Sequence, residues 1–288
     1  MNIIIGASGQ VGSMVVKNLL QNGQPVRAIV RSAAKEQVLL DQGAETFVAD
    51  AHDRENLIQA FQGGRALFII TPEDGASEDV LADAKALLDN YRFAIRRSSI
   101  HKIVAISSMG AQYNEGTGNL LISNILEQTF TDSEVEQIFI RPAYYFSNWL
   151  FNFQGAKESG ILPTFFPPDL QIPMVAPADV AALAAKLMPG GPGGNKIYEL
   201  EGPRTYSAND VAQALSKHSG KEIIAEELPR EEWGKVISAM GFTPDATKNF
   251  IEMTAFVRTG RSGAQKEGTI WLQSETTLET FLEQTIQS

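Results

Sequence analysis

Three glycines spaced three residues apart lie near the start of the chain, at Gly6, Gly9 and Gly12. An apolar run precedes them and an amphipathic segment follows, so we expect a strand, a tight turn and a helix. Such a turn brings backbone N–H groups and the positive end of the helix dipole up to an anion. Spacing and context together predict a site for the pyrophosphate of a nicotinamide dinucleotide. The residues expected to contact it are Gly6, Ser8, Gly9, Gln10 and Val11.

The segment that follows the second predicted strand indicates which dinucleotide is bound. An acidic residue about 20 positions after the glycines would bind the 2′-hydroxyl of the NAD ribose. Residues 28–35 contain no acidic residue and instead include Arg31 and Lys35. A guanidinium can hold the 2′-phosphate of NADP through paired charge-assisted hydrogen bonds. We therefore expect NADP(H) rather than NAD, although both side chains could also be ordinary solvated surface charges.

Other candidate contacts follow the ends of the remaining predicted strands. Ligands of open α/β sheets bind at the carboxyl ends of the strands, so these positions meet in one crevice. Asp50 ends the third predicted strand, where its carboxylate could accept a hydrogen bond from the adenine amino group. The other expected cofactor contacts are Ala51, Thr71, Pro72, Ser107 and Pro142.

The elements that would position these residues alternate between short apolar runs and amphipathic segments. Strands are predicted at residues 2–5, 25–30, 44–48, 66–70, 101–107 and 137–141. Helices are predicted at residues 11–21, 32–42, 54–61, 77–97, 119–130, 177–187 and 208–218. Alternation of this kind predicts an α/β fold, in which a doubly wound parallel sheet forms a Rossmann domain beside a smaller, mostly helical C-terminal lobe.

A shift in composition after Phe151 predicts how the chain is divided. We expect the dinucleotide-binding domain over residues 1–155, with a later strand near residues 195–200 returning to it. The smaller lobe, for a substrate or a partner, is expected over residues 156–288. Within it, four prolines in residues 160–173 predict a loop.

Composition and charge disfavour several other classes of protein. The chain has 288 residues and a formal net charge of −10, so nucleic acid and anionic membranes are poor partners. It contains no cysteine, and its three histidines lack metal-ligand spacing, so no metal site is expected. No apolar run approaches the roughly 20 residues of a membrane span, and no signal segment is visible. We expect a protein of the cytoplasm.

The chain resembles the NmrA-like, atypical branch of the short-chain dehydrogenase/reductase superfamily. The likeness is carried by GASGQVG at residues 6–12, AIVRS at 28–32, VAD at 48–50, AISS at 105–108, RPAYYFSNW at 141–149, PADVA at 177–181 and TTLETFL at 276–282. These segments span nearly the whole chain. The glycine motif alone is shared across the superfamily, whereas the combination is typical of the NmrA-like branch.

One part of the superfamily pattern is missing. Active members generally use a serine together with a tyrosine and a lysine four residues apart on the helix after the fifth strand. The tyrosine transfers a proton, and the lysine lowers its pKa and binds the ribose. Ser107 and Ser108 occupy the serine region and are the candidate catalytic residues, but residues 119–130 contain neither tyrosine nor lysine. The standard proton relay is therefore absent.

The resemblance leaves two functions open. Some NmrA-like proteins are NAD(P)H-dependent quinone or azo-dye reductases, whereas others bind NADP without turnover and act as redox sensors through a protein partner. We favour an oxidoreductase for a small planar acceptor, with Ser107 or Ser108 orienting the ring or the acceptor and solvent supplying the proton. A third function, an isomerase or epimerase for nucleotide sugars, is disfavoured by the missing tyrosine and lysine.

An aromatic segment supports the choice of a reductase. Planar ligands are commonly bound by apolar, aromatic walls. The expected acceptor contacts are Tyr144, Tyr145, Phe146 and Trp149, with Phe165 and Phe166 completing the lining. For any one of these residues the alternative is ordinary core packing. The sequence leaves the acceptor, the oligomeric state and any protein partner open.

Overall fold

A computed structural model describes residues 1–191 and 193–286 of the chain. Strands and helices alternate through its first half. They are β1 (Asn2–Ile4), α1 (Gln10–Gln21), β2 (Val26–Val30), α2 (Glu36–Asp41), β3 (Glu45–Val48), α3 (Arg54–Phe61), β4 (Ala66–Ile70), α4 (Val80–Ile95), β5 (Lys102–Ile106), α5 (Leu120–Phe130) and β6 (Glu136–Pro142). This order follows the predicted alternation closely.

Shorter strands and six further helices make up most of the second half of the described residues. They are β7 (Tyr144–Tyr145), α6 (Phe153–Ser159), β8 (Ile161–Thr164), β9 (Ile172–Val175), α7 (Pro177–Leu187), β10 (Lys196–Glu201), β11 (Thr205–Tyr206), α8 (Ala208–Ser219), β12 (Ile224–Glu227), α9 (Trp233–Ala239), α10 (Pro244–Val257), β13 (Ile270–Gln273) and α11 (Leu278–Ile286). Three 3₁₀ turns lie at Ala33–Lys35, Phe146–Asn152 and Arg230–Glu232.

Eight of the described strands form one parallel sheet in the order β13-β10-β6-β5-β4-β1-β2-β3. The central strands are buried on both faces because helices cover both. Successive side chains of a strand point to opposite faces, so Ile4 packs in the cluster with α1 and α7, whereas Ile3 packs with α3 and α4. The predicted α/β fold with a doubly wound parallel sheet is confirmed.

A third apolar cluster lies among the C-terminal elements. Its centre includes Phe146, Tyr206, Leu215 and Phe281, which come from four separate segments. The helix α8 begins as predicted at Ala208, and the hydroxyl of its N-cap residue Ser207 accepts a hydrogen bond from the Asp210 N–H at 3.1 Å. The Asp210 carboxylate accepts one from the Ser207 N–H at 2.8 Å, which completes a capping box.

Several predicted bounds were wrong. The helix expected at residues 32–42 is a 3₁₀ turn followed by the short helix α2. The loop expected at residues 160–173 contains β8, which pairs in parallel with β12, and ends in the first residues of β9. A proline is tolerated in β8 because this sheet has only two strands and both are edges.

The last strands of the chain return to the main sheet. The strand β10 lies beside β6, and β13 lies beside β10 as the outermost strand. The first of these returns was predicted from the sequence, and the second was not. The division into two domains near residue 155 stays a prediction. No described helix is both long enough and apolar enough to cross a membrane.

Candidate active site

The glycine turn has the geometry that the motif predicts. Gly6 has a φ of +69°, a conformation that residues with a side chain rarely adopt. A Cβ atom at Gly12 would lie 2.2 Å from the Gly6 carbonyl oxygen, so α1 can approach the turn only without a side chain there. Gly9 is the N-cap of α1, which has neither a side-chain cap nor an acidic residue in its first turn. Its N-terminal N–H groups therefore suit an anion.

The remaining residues of the turn differ in how much of each a ligand can reach. Ser8, Gly9 and Gln10 are exposed, whereas the Val11 side chain is buried in the core. Only the backbone of Val11 is therefore available to a ligand. The Gln10 side-chain carbonyl accepts a hydrogen bond of 3.0 Å from the Ser147 hydroxyl, which links the turn to the segment after β7.

The basic residues after β2 lie, like the turn, at the carboxyl ends of the parallel strands. Arg31 and Lys35 are both exposed. Burial raises the pKa of Tyr91 on α4, and the nearby positive charge of Arg31 opposes that shift. Asp50 is also exposed, and its carboxylate accepts a hydrogen bond from the His52 N–H at 2.9 Å. These side chains lie outside the large cleft described next.

A cleft of about 780 Å³ lies at the carboxyl ends of β4, β5 and β6. The predicted residues that line it are Gln10, Thr71, Ser107, Ser108, Pro142, Tyr144, Tyr145, Trp149, Phe165 and Phe166. Its walls also carry residues that the sequence analysis missed, of which the chemically relevant ones are Glu73, Asn119, Phe151, Phe242, Phe250 and Met253. Pro72 is exposed but does not line the cleft.

Phe146 was predicted to contact the acceptor, and that prediction is wrong. Its side chain is 0% exposed and does not line the cleft. The ring packs in the third apolar cluster, with its centroid 5.2 Å from that of Tyr206 and 5.6 Å from that of Phe281. Phe146 is therefore core packing, the alternative considered for each of these aromatic residues.

A buried network of hydrogen bonds and ion pairs fixes the Ser107 hydroxyl on the side away from the cleft. This hydroxyl donates a 2.6 Å hydrogen bond to the Glu127 carboxylate, which also accepts bonds of 2.8 and 2.6 Å from the Arg141 guanidinium. Glu199, which is fully buried, lies 3.9 Å from the same guanidinium. Since a carboxylate can only accept, the Ser107 proton is engaged and only its lone pairs can serve a ligand. The hydroxyl of Ser108 donates to the Met109 carbonyl at 3.1 Å.

The tyrosines of the cleft differ from the tyrosine of the standard relay. Burial is the main cause that raises the pKa of Tyr144 to about 12; a hydrogen bond with Asn148 opposes the shift and the Glu73 charge adds to it. Burial and Glu73 likewise raise the pKa of Tyr145. Both phenols are therefore protonated at neutral pH, and among the residues lining the cleft no lysine is present to lower their pKa.

Glu73 follows β4 and enters the cleft beside these tyrosines. Its carboxylate accepts a hydrogen bond of 3.1 Å from the Asn119 side-chain amide. Glu73 is open to solvent, but the surrounding cleft walls remove much of its hydration and so raise its pKa, while the hydrogen bond from Asn119 opposes the shift. A Thr-Pro-Glu-Asp segment directly after a strand is the sequence signal that could have identified it.

Comparisons with known proteins agree with this geometry. The model of the NmrA-like family matches residues 2–282. Quinone oxidoreductase 2 of Escherichia coli is 27% identical over 255 residues, covering 86% of this chain and 84% of that protein. An NAD(P)H azoreductase of Xenophilus azovorans is 26% identical over 259 residues, covering 88% and 86%.

Solved structures show the same fold over the full length. The E. coli NADPH-dependent quinone oxidoreductase, solved with NADPH, matches at a TM-score of 0.80 with 24% identity, covering 99% of this chain and all of that one. Triphenylmethane reductase of Citrobacter sp., solved with NADP(H), matches at a TM-score of 0.79 with 25% identity, covering 99% of both chains.

Proposed function

Because the chain belongs to the NmrA-like family, we propose that it is an NADPH-dependent oxidoreductase that reduces a small planar acceptor, such as a quinone or an azo compound. The observation that carries the proposal is the aromatic cleft beside the glycine turn, at the carboxyl ends of the central strands. Relatives named as a quinone oxidoreductase and an azoreductase support the same acceptor class.

The residues of this chain fit the dinucleotide. The start of α1 has no side-chain cap, so its N–H groups can donate to a pyrophosphate. The absence of a side chain at Gly12 lets the helix lie close to Gly6, beside the room left for that group. When bound, NADPH would supply a hydride from its nicotinamide. We assign the pyrophosphate to the backbone of residues 6–11 and the 2′-phosphate to Arg31 and Lys35. Asp50 and Ala51 are assigned to the adenine, and Thr71, Pro72, Ser107 and Pro142 to the nicotinamide side.

The cleft walls support a planar acceptor in particular. The rings of Tyr144 and Phe166 are nearly perpendicular with centroids 5.7 Å apart, and Phe165 and Phe250 meet at 5.6 Å. Such edge-to-face arrays leave flat faces available to another ring. In this proposal Tyr144, Tyr145 and Trp149 contact the acceptor, and the lone pairs of Ser107 help to orient the nicotinamide or the acceptor.

The proposal includes a cytoplasmic location, because a reductase of this kind needs a steady supply of reduced cofactor. Its partner is the small-molecule acceptor. A net charge of −10 argues against nucleic acid as a ligand.

The test is a two-step measurement on the purified protein. NADPH and NADH are first titrated by fluorescence, and NADPH oxidation is then followed with a panel of quinones and azo dyes. We expect tighter binding of NADPH than of NADH and acceptor-dependent oxidation. Tight NADPH binding without oxidation by any acceptor would reject the enzyme and favour a redox sensor. Failure to bind either dinucleotide would reject the cofactor as well.

A further inference from the structure

The cleft contains one carboxylate in walls that are otherwise uncharged. Of the described residues that line it, Glu73 is the only acidic one, and none is a lysine, an arginine or a histidine. The titratable groups that face Glu73 across the cleft are the phenols of Tyr144 and Tyr145. A carboxyl group without a cationic partner in an aromatic cleft is costly to ionise, so a structural role as one half of an ion pair is not available to it.

A hydrogen bond from Asn119 holds Glu73 at the wall and leaves bonding capacity toward the cleft. Asn119 is only 6% exposed, and its amide nitrogen donates to one oxygen of Glu73. The Tyr145 hydroxyl is buried and has no hydrogen-bond partner among the described residues. Both side chains line the cleft with Glu73. The wall at this point therefore presents an acid and a phenol to whatever occupies the cleft.

We propose that Glu73 is the proton donor to the acceptor, in place of the tyrosine of the standard relay. This inference rests on the proposed function, because it assigns the second half of the reduction described there. It also differs from the expectation that solvent supplies the proton directly.

The reaction needs one hydride and one proton. The hydride brings two electrons and makes one new bond to hydrogen on the acceptor, which leaves a pair of electrons on the other quinone oxygen or the other azo nitrogen. The O–H bond of Glu73 breaks, and its proton forms the new O–H or N–H bond at that atom. The resulting carboxylate then takes a proton from water, since Glu73 is exposed to solvent in the cleft.

The direction of the pH dependence follows from the position of Glu73. The raised pKa of this carboxyl keeps the acid form present at a higher pH than in a free glutamate. As the pH rises through that pKa the donor is lost, so kcat for a proton-requiring acceptor should fall. The phenols of Tyr144 and Tyr145, with pKa values raised by burial, stay neutral over the same range.

The test compares Glu73→Gln with Glu78→Gln on two kinds of acceptor. Glu78 is an exposed neighbour that does not line the cleft, so its variant controls for replacing a glutamate by glutamine in the same segment. A quinone needs a hydride and a proton, whereas the cation of a triphenylmethane dye becomes neutral with a hydride alone. We expect Glu73→Gln to lower kcat for the quinone by about 100-fold and to flatten its pH profile. Glu73→Gln should leave kcat for the dye cation within a few-fold of the value for the parent protein, and it should raise KM for the dye cation.

A second readout does not depend on turnover. Difference infrared spectra of the parent protein and Glu73→Gln should show the carbonyl stretch of one protonated carboxylic acid, which persists above the usual titration range of glutamate. NADPH affinity should be the same in the parent protein and both variants. If the dye is not reduced, the pH profile with the quinone decides.

The outcomes separate the two proposals. Quinone turnover by the parent protein together with an unchanged kcat in Glu73→Gln would overturn the role of Glu73 while leaving the proposed function intact. An equal loss of kcat on the quinone and the dye cation would also overturn it, because that result indicates a structural role. No NADPH oxidation by the parent protein with any acceptor would overturn the proposed function, and the proton donor with it.

Discussion

The glycine turn and the aromatic cleft lie side by side but are built in opposite ways. The turn uses seven consecutive residues, and its function depends on backbone atoms and on the absence of side chains at Gly6 and Gly12. The cleft uses side chains from segments far apart in the sequence, including β4, β7, α5 and α10. A site of the first kind tolerates almost no substitution, whereas one of the second kind can change its specificity residue by residue.

The largest expected effect is a loss of stability that distinguishes a core aromatic residue from one on the cleft wall. Phe146→Ala should lower the free energy of unfolding by about 3–5 kcal/mol, because it removes a fully buried ring packed between Tyr206 and Phe281. Phe151→Ala changes the same residue type on the cleft wall, where Phe151 is 75% exposed. It should change stability by less than about 0.5 kcal/mol and raise KM for the acceptor.

Urea unfolding and acceptor kinetics on both variants measure this contrast. If Phe146→Ala proved as stable as the parent protein, or altered only KM, the ring would belong to the acceptor site after all.

A smaller effect tests whether the turn really excludes side chains. Gly12→Ala should lower the free energy of unfolding by about 1–3 kcal/mol and weaken NADPH binding, because its Cβ would meet the Gly6 carbonyl. Gly155→Ala is the matched control, since a Cβ at that helical position meets no atom within 4 Å. The control should be neutral or more stable by up to about 1 kcal/mol. Gly12→Ala with unchanged NADPH affinity would argue that the turn is not the pyrophosphate site.

Cofactor choice tests the role assigned to the Arg31 side chain beside the turn. Arg31→Ser should weaken NADPH binding by about 10- to 100-fold, the loss expected for hydrogen bonds to a charged phosphate, and leave NADH binding unchanged. Arg65→Ser removes an exposed arginine directly before β4, at the amino ends of the strands and so away from the turn. It should change the binding of neither NADPH nor NADH. Fluorescence titration of both dinucleotides measures the ratio. Equal losses for NADPH and NADH would reject the assignment of the 2′-phosphate to Arg31.

The smallest effect concerns the contact between the two regions. Ser147→Ala removes the hydrogen bond that its hydroxyl donates to Gln10. A hydrogen bond of this kind contributes about 0.5–1.5 kcal/mol, so KM for NADPH should change by no more than about tenfold, with stability nearly unchanged. Initial-rate kinetics give the value. A loss of kcat well beyond that range would mean that the two regions are more strongly coupled than one hydrogen bond allows.

Local signals in the sequence predicted the turn and most of the sheet. The bounds of α3, β4 and α7 agree residue by residue with the expectations, because each element has its own apolar period and its own terminal residues. The strands β12 and β13 were missed because each has only four residues and is defined by a partner far away in the chain.

The cleft was predicted less well than the turn, for a physical reason. An aromatic residue can pack inward or line a cavity, and the choice between them for Phe146 is made by Phe281, which comes 135 positions later in the sequence. Glu73 lies in a polar segment where acidic residues are usually solvated. Its place in the cleft depends on Asn119 and Tyr145, which are distant in the sequence and lie beside it only in the folded protein.

The late return of β10 and β13 to the sheet has a consequence for synthesis on the ribosome. When β6 leaves the exit tunnel it is an unprotected edge strand whose seven residues are all buried in the final fold, and its neighbour β10 begins more than 50 residues later. At about 5–20 residues per second, that edge stays open for several seconds. Such edges pair readily with other chains. The nascent protein should therefore depend most on chaperones during the interval between these two strands.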